Sequence, residues 1–347
     1  MFNTARSLVI LVIAALLTAF LFCRASSAED TIKVLMLEDP YAALPSGDAR
    51  SIDQFTGEIF INGQFYTGRL EVMKDAGGLY VINTLPFEDY IEGVLASEIG
   101  NTWEEEALKA QAVISRSYAT FYRARNRENL FHVTSGILHQ LYSGANTDPL
   151  ISRAVRETAG EILTFGGQPV KAFFHSACEG KTEVPEEVWQ ESHPYLQSVD
   201  CNDKNGPYDS WLRTFTRKEI AAALGEEQVQ DMSISSFTVT GRVKTLRVAG
   251  ENSSGQAQDM EVKATDLRRL LGYKRLPSTS FTLAKRGDEF LFIGTGNGHG
   301  VGLSQWGALE MARQGKNYRE ILAHYYPGTT LQKMDDLLPP ELALNRQ

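Results

Sequence analysis

The sequence has no run of basic residues. It carries 34 lysines and arginines against 43 acids, a net charge of −9. A nucleic-acid partner is therefore not expected, because phosphate neutralisation needs clustered cations. It also lacks internal repeats and low-complexity segments, which excludes solenoid and disordered classes. No apolar run is long enough for a comfortable membrane span. The longest, SLVILVIAALLTAFLF over residues 7–22, follows Arg6 and precedes the small residues Ser26-Ser27-Ala28. Residues 1–28 read as an export signal cleaved there, with an uncleaved N-terminal anchor as the alternative membrane attachment. Cleavage removes Arg6 and Arg24 and no acid, which moves the net charge to −11. Cysteines are also scarce: of three, only Cys178 and Cys201 remain after the leader. In an oxidising compartment these two are expected to pair, a bridge worth about 3 kcal/mol in the chain-entropy model.

What is present fits an α+β protein, with mixed helices and mainly antiparallel strands forming two lobes around a substrate groove. TIKVLML (31–37) and the stretch from GEIFING (57–63) to GLYVINTLP (78–86) alternate like strands, with turns at Asn62-Gly63 and Gly77-Gly78. Helices are expected over FEDYIEGVLASEI (87–99) and from about Trp103 to Asn126, the second apolar around most of its circumference. Alternation returns over ISSFTVT, GRVKTLRV and SFTLAKRGDEFLFIG (234–294), interrupted by a short helix at DLRRLLG. Two helices close the chain, and Asn317 and Glu320 have capping-box spacing in the last.

Several residues stand out chemically. Ile91, Val94, Leu95 and Glu98 fall at i, i+3, i+4 and i+7, so a carboxylate occupies an apolar stripe. Burial there raises its pKa toward that of a general acid; the bland alternative is a helix-end acid just past the buried face. Lys109, Arg116 and Arg123 share one face of the next helix, either solvated or turned to a cleft near Glu98. In GTGNGHGVGLSQWGA, five alternating glycines wall in His299, yet the Gly-Lys-Ser/Thr of a phosphate loop is missing. AFFHSACEGKTE holds His175, Ser176 and Cys178 without a nucleophile elbow, and neighbours on a strand face opposite ways. Two zinc sets need weighing: His175 and His193 with the two cysteines, irregularly spaced, and His132 with His139, which lack a third ligand.

Taken in order, YTGRLEV, LPFEDYIEGVLASEI, WEEEALKAQAVISRSYA, QLYSG, FFHSACEGKTE, PYLQSVD, TGRVKTLRV, GTGNGHGVGLSQWGA and ILAHYYPGTTL resemble the SpoIID/LytB family, the stage II sporulation protein D-like proteins. The resemblance runs from about residue 60 to 331. It implies one such domain over 29–347, with a catalytic segment at about 60–125 and a C-terminal cleft segment at about 290–331. The implied activity is lytic transglycosylation of peptidoglycan glycan strands in an extracytoplasmic compartment, with Glu98 as the catalytic acid. Arg116, His299 and Gln305 are the implied substrate-binding residues, and Lys109, His175 and Ser176 are further candidates for that role. The other implied role is that of an amidase enhancer, which binds the wall and has a cell-wall amidase as partner. Some relatives hold zinc through cysteines in the segment matching 131–141. This chain has Thr134 and Ser135 and no cysteine there, so no cofactor is expected and His132 and His139 remain weak metal candidates.

Overall fold

A computed structural model describes residues 30–337, apart from 37–44, 46–47, 62, 100–101, 137–138, 179, 204–205 and 252–253. The proposed leader lies outside the described residues. Among the described residues, no helix is long and apolar enough to cross a membrane.

The chain is α+β, with eight helices among the described residues and mostly antiparallel strands in small sheets. An N-terminal five-stranded sheet runs in the order 50–56, 69–74, 79–86, 31–36, 133–134, and only its last pair is parallel. Alternation in Thr31–Met36 and Leu79–Pro86 sends Ile32, Val34, Ile82 and Leu85 into the interior. Pro86 then starts helix α1 (Phe87–Glu98), whose apolar stripe packs Tyr90, Ile91, Val94 and Leu95 into one core with Ile32, Val34 and Leu85.

Helix α2 (Glu105–Arg125) is the central pillar. Apart from half-buried Lys109, it is buried on every side from Ala107 to Thr120 because it separates two cores. Ala112 and Ala119 meet the α1 core, while Ala110, Val113 and Ile114 meet one built from Leu163, Val301, Leu303 and the C-terminal helices. Helices α3 (Pro149–Glu157) and α4 (Pro185–Trp189) complete this body.

A second body has its own core, Trp211, Phe215, Leu246, Leu267, Phe290 and Phe292 among its members, all drawn from residues 211–292. Two three-stranded antiparallel sheets carry helices α5 (Arg217–Leu224) and α6 (Ala264–Leu271). The chain then returns to the first body with α7 (Gln305–Arg313) and α8 (Tyr318–Tyr325). The capping box at α8 is present: Asn317 Oδ1 accepts from Glu320 N, and Asn317 N donates to the Glu320 carboxylate.

Candidate functional site

Glu98 is the last residue of α1, and its Oε1 accepts a 2.8 Å hydrogen bond from Leu141 N. The preceding Ser97 takes a 3.0 Å bond from Ser143 N, so segment 141–143 is fastened along the helix end. Glu98 as a whole is half-buried. Desolvation pushes its pKa up to about 7, against the lowering effect of the Leu141 amide and the neighbouring Gln305 side chain. The amide nitrogen of Gln305 is close enough to act on that charge but lies outside hydrogen-bonding geometry.

Glu98 opens on a groove of about 650 Å³ between the two bodies. Tyr118 and Tyr122 of α2, His139 and Leu141 line it from the first body, with Phe173, His175, Ser176, His299 and Gln305. Asp266, Arg268, Arg269 and Tyr273, on or just after α6, line it from the second. Trp189, at the end of α4, stacks on Phe173 with ring centroids 4.4 Å apart and meets His299 edge-on at 4.8 Å. The next residue, Gln190, has φ +60, the single non-glycine positive φ among the described residues.

Two separated segments supply the inner part of the groove. Phe174–His175 pairs in parallel with Leu303–Ser304, setting His175 opposite Ser304 and Gln305 one step beyond. The glycines make that approach close enough. At Gly302 a Cβ would sit 1.9 Å from the Phe173 carbonyl oxygen, and at Gly298 2.6 Å from the His175 Cβ, both at positive φ. Ser304 caps α7 through Gly307 N and donates to Asp203 at 2.8 Å; Asp203 also takes the Cys178 amide at 2.6 Å. Cys178 and Cys201 are joined by a disulfide, with their Cα atoms 6.5 Å apart.

His299 is committed to the fold. Its Nδ1 accepts from Val301 N at 3.0 Å, and burial pushes its pKa down to about 3. Glu191 at the groove edge is bound by Lys171 at 2.7 Å and His193 at 3.2 Å, and the Lys171 ammonium holds its carboxyl below the usual range. Asp266 pairs with Arg269 at 3.5 Å. Of the carboxylates lining the groove, Glu98 has no cationic partner among the described residues.

The row of cations expected near Glu98 is corrected by the structure. Arg116 is fully buried, forked onto Glu88 of α1 and bonded to the carbonyls of Glu161 and Val155. Lys109 sits among Glu105, Glu106 and Glu157, and Arg123 pairs with Asp30. None of the three lines the groove. A cation on a helix buried all round must bring its own carboxylate with it. Glu88, which reads as a helix-end acid, is that partner.

No metal set fits. His132 lies off the groove with Nδ1 taking the Lys33 amide, and His139 holds Nδ1 against the Thr134 hydroxyl. Desolvation pushes both rings down to about 4. His193 is tied to Glu191 and Tyr195. Among the described residues, Cys178, Cys201 and Asp203 form a cluster of three candidate ligands within 4.8 Å, and the disulfide consumes both sulfurs.

Sequence reasoning assigned no role to Tyr118, Tyr122, Lys171, Trp189, Arg269 or Tyr273. Tyr118 carried a usable signal, since it stands beside Arg116 in SRSYA on a helix already marked as buried. Arg269 and Tyr273 carried none, because nothing local to DLRRLLG tells which body it faces.

Comparison with known proteins matches residues 75–165 to the stage II sporulation protein family model. A second model, described as a domain of unknown function, matches 205–302, a range that spans the second body. The stage II sporulation protein D of Bacillus subtilis is 33% identical over 279 residues, covering 76% of this chain and 79% of the relative. An uncharacterized protein of Brachyspira hyodysenteriae is 33% identical, covering 78% and 73%. The amidase enhancer of Bacillus subtilis is 27% identical, covering 70% of this chain and 40% of the relative.

Proposed function

The chain belongs to the stage II sporulation protein D family, and on that premise we propose that it is an extracytoplasmic lytic transglycosylase of peptidoglycan glycan strands. The observation that carries this reading is Glu98, a carboxyl without a cationic partner among the described residues, set in a groove whose other carboxylates are neutralised. At a pKa of about 7 it holds a proton near neutrality and gives it up readily.

Glycosidases that use water or a protein nucleophile employ two carboxyl groups. Transglycosylation needs one. Protonated Glu98 donates to the oxygen bridging N-acetylmuramic acid C1 and N-acetylglucosamine C4, and that bond breaks. The muramyl C6 hydroxyl attacks C1 and passes its proton to Glu98, which restores the starting acid. No water is consumed, and the product is a 1,6-anhydro-muramyl end. Holding nucleophile and electrophile in one sugar supplies the large effective molarity of an intramolecular reaction. Trp189 and Phe173 offer apolar faces for sugar rings. Arg116 acts from behind, fixing α1 through Glu88.

The likeness to an amidase enhancer favours a second reading, in which the groove binds the wall and assists an amidase without cutting. Mass spectrometry of purified glycan strands after incubation separates the two. Anhydro-muramyl ends that vanish with Glu98→Gln support cleavage; binding without new ends supports the enhancer.

A further inference from the structure

Two buried polar atoms of the groove have no bonding partner. His175 is 4% exposed and Gln305 6% exposed, and Nε2 of each lacks a hydrogen bond among the described residues. Unpaired buried polar groups are costly, so their persistence in a lined groove points to a ligand. The chemistry of each atom is fixed by its surroundings. His175 Nδ1 lies 3.2 Å from the Val301 carbonyl oxygen, which can only accept, so the ring proton resides on Nδ1. Burial, with His299 and Arg242 nearby, pushes its pKa well down, and the ring stays neutral. Nε2 of His175 is therefore a bare acceptor. Gln305 Nε2 is a donor with two N–H bonds, and neither is met by an acceptor among the described residues.

We infer that His175 Nε2 and Gln305 Nε2 form an acceptor–donor pair that holds the 2-acetamido group of an N-acetylated sugar. His175 takes the acetamido N–H, and Gln305 donates to its carbonyl oxygen. The parallel pairing of 174–175 with 303–304 brings the two backbone segments together, and both side chains line the same groove. A hydroxyl offers a single rotatable donor, whereas a secondary amide offers a donor and an acceptor in one rigid plane. The acetamido methyl meets apolar surface from Phe173, which lines the same groove. This inference rests on the glycan-cleaving reading and adds which feature of the glycan is read.

The test is calorimetric titration of the purified protein with tetra-N-acetylchitotetraose and with cellotetraose, both neutral and differing at C2. We expect the acetamido ligand to bind at least about 100-fold more tightly, because the hydroxyl analogue leaves both buried atoms unsatisfied. His175→Phe should weaken chitotetraose roughly 10-fold. His175→Gln, whose amide oxygen reaches the Nε2 position, should restore it to within a few-fold. Equal affinities for the two ligands overturn the inference even if anhydro ends are formed, as does undetectable chitotetraose binding or an unchanged affinity in His175→Phe. Discrimination between the ligands without anhydro ends sustains it while removing the cleavage reading.

Discussion

Arg116 places Nε 2.9 Å and Nη2 2.7 Å from the Glu88 carboxylate while its guanidinium is wholly shut off from water. Glu98, at the other end of the same helix, meets a backbone amide and, among the described residues, no cation. Helix α1 thus carries two acids with opposite surroundings. At Glu88 a charge is met by a charge; at Glu98 burial acts unopposed by one, and the proton is held.

The first consequence concerns chemistry. Glu98→Gln keeps the shape and the acceptor for Leu141 N but cannot donate a proton. Release of anhydro-muramyl ends should fall about 10³-fold, the scale of a lost general acid, with the melting temperature at pH 5 nearly unchanged. Retention of full activity in the folded variant removes Glu98 from the mechanism.

The second concerns pH and carries a definite sign. The folded pKa of Glu98 is about 7 against an ordinary 4.5, so the folded state binds the extra proton. Stability from that difference is complete below about pH 4.5 and is lost as pH rises through 7. Wild type should therefore weaken relative to Glu98→Gln between pH 5 and 8. The gap should reach at most about 3 kcal/mol, less in proportion to the groove's access to water. Activity should decline above pH 7, where the donor form disappears. Parallel melting curves across that range count against a raised pKa.

Much of the frame was legible because it is local. The stripe on 87–98, the alternation of 31–36 and 79–86, and the Asn317–Glu320 box are patterns within a single element, and each is realised. What crosses the chain was not. Arg116 stands on a helix face that spacing alone leaves open, and only Glu88, on the preceding helix, decides that it turns inward. Tyr273 and Arg269 reach the groove because the second body docks there, which no periodicity encodes. His175 was visible as a histidine, but the Val301 carbonyl that fixes its tautomer lies far along the chain.

Removing the guanidinium should expose its structural task. Arg116→Met leaves Glu88 and the carbonyls of Glu161 and Val155 without their donor. Unfolding free energy should drop by about 3 kcal/mol, the lower part of the range for a broken buried pair, since Glu88 is 35% exposed and can turn to water. Measured by urea denaturation, a loss below about 1 kcal/mol would place the ion pair among ordinary surface bridges. The pH midpoint of residual activity should stay where it is in wild type, because Arg116 does not touch Glu98. A shifted midpoint would return Arg116 to the site.

The disulfide offers a test that joins the fold to the groove. Cys178 and Cys201 close a loop with a separation of 23 residues, a constraint worth about 3 kcal/mol in the chain-entropy model. The Cys178 amide and the Ser304 hydroxyl share one oxygen of Asp203, and Ser304 caps the helix that begins with Gln305. Loosening the bridge therefore loosens the residue beside Glu98. Cys178→Ala with Cys201→Ala should lower the melting temperature by roughly 5–10 °C and weaken glycan binding a few-fold. Chemical reduction of wild type should reproduce both effects. If alkylation finds two free thiols and the melting temperature has not moved, the bridge does not stabilise the fold. If it has moved and glycan affinity has not, the chain from Asp203 through Ser304 to Gln305 transmits nothing to the groove.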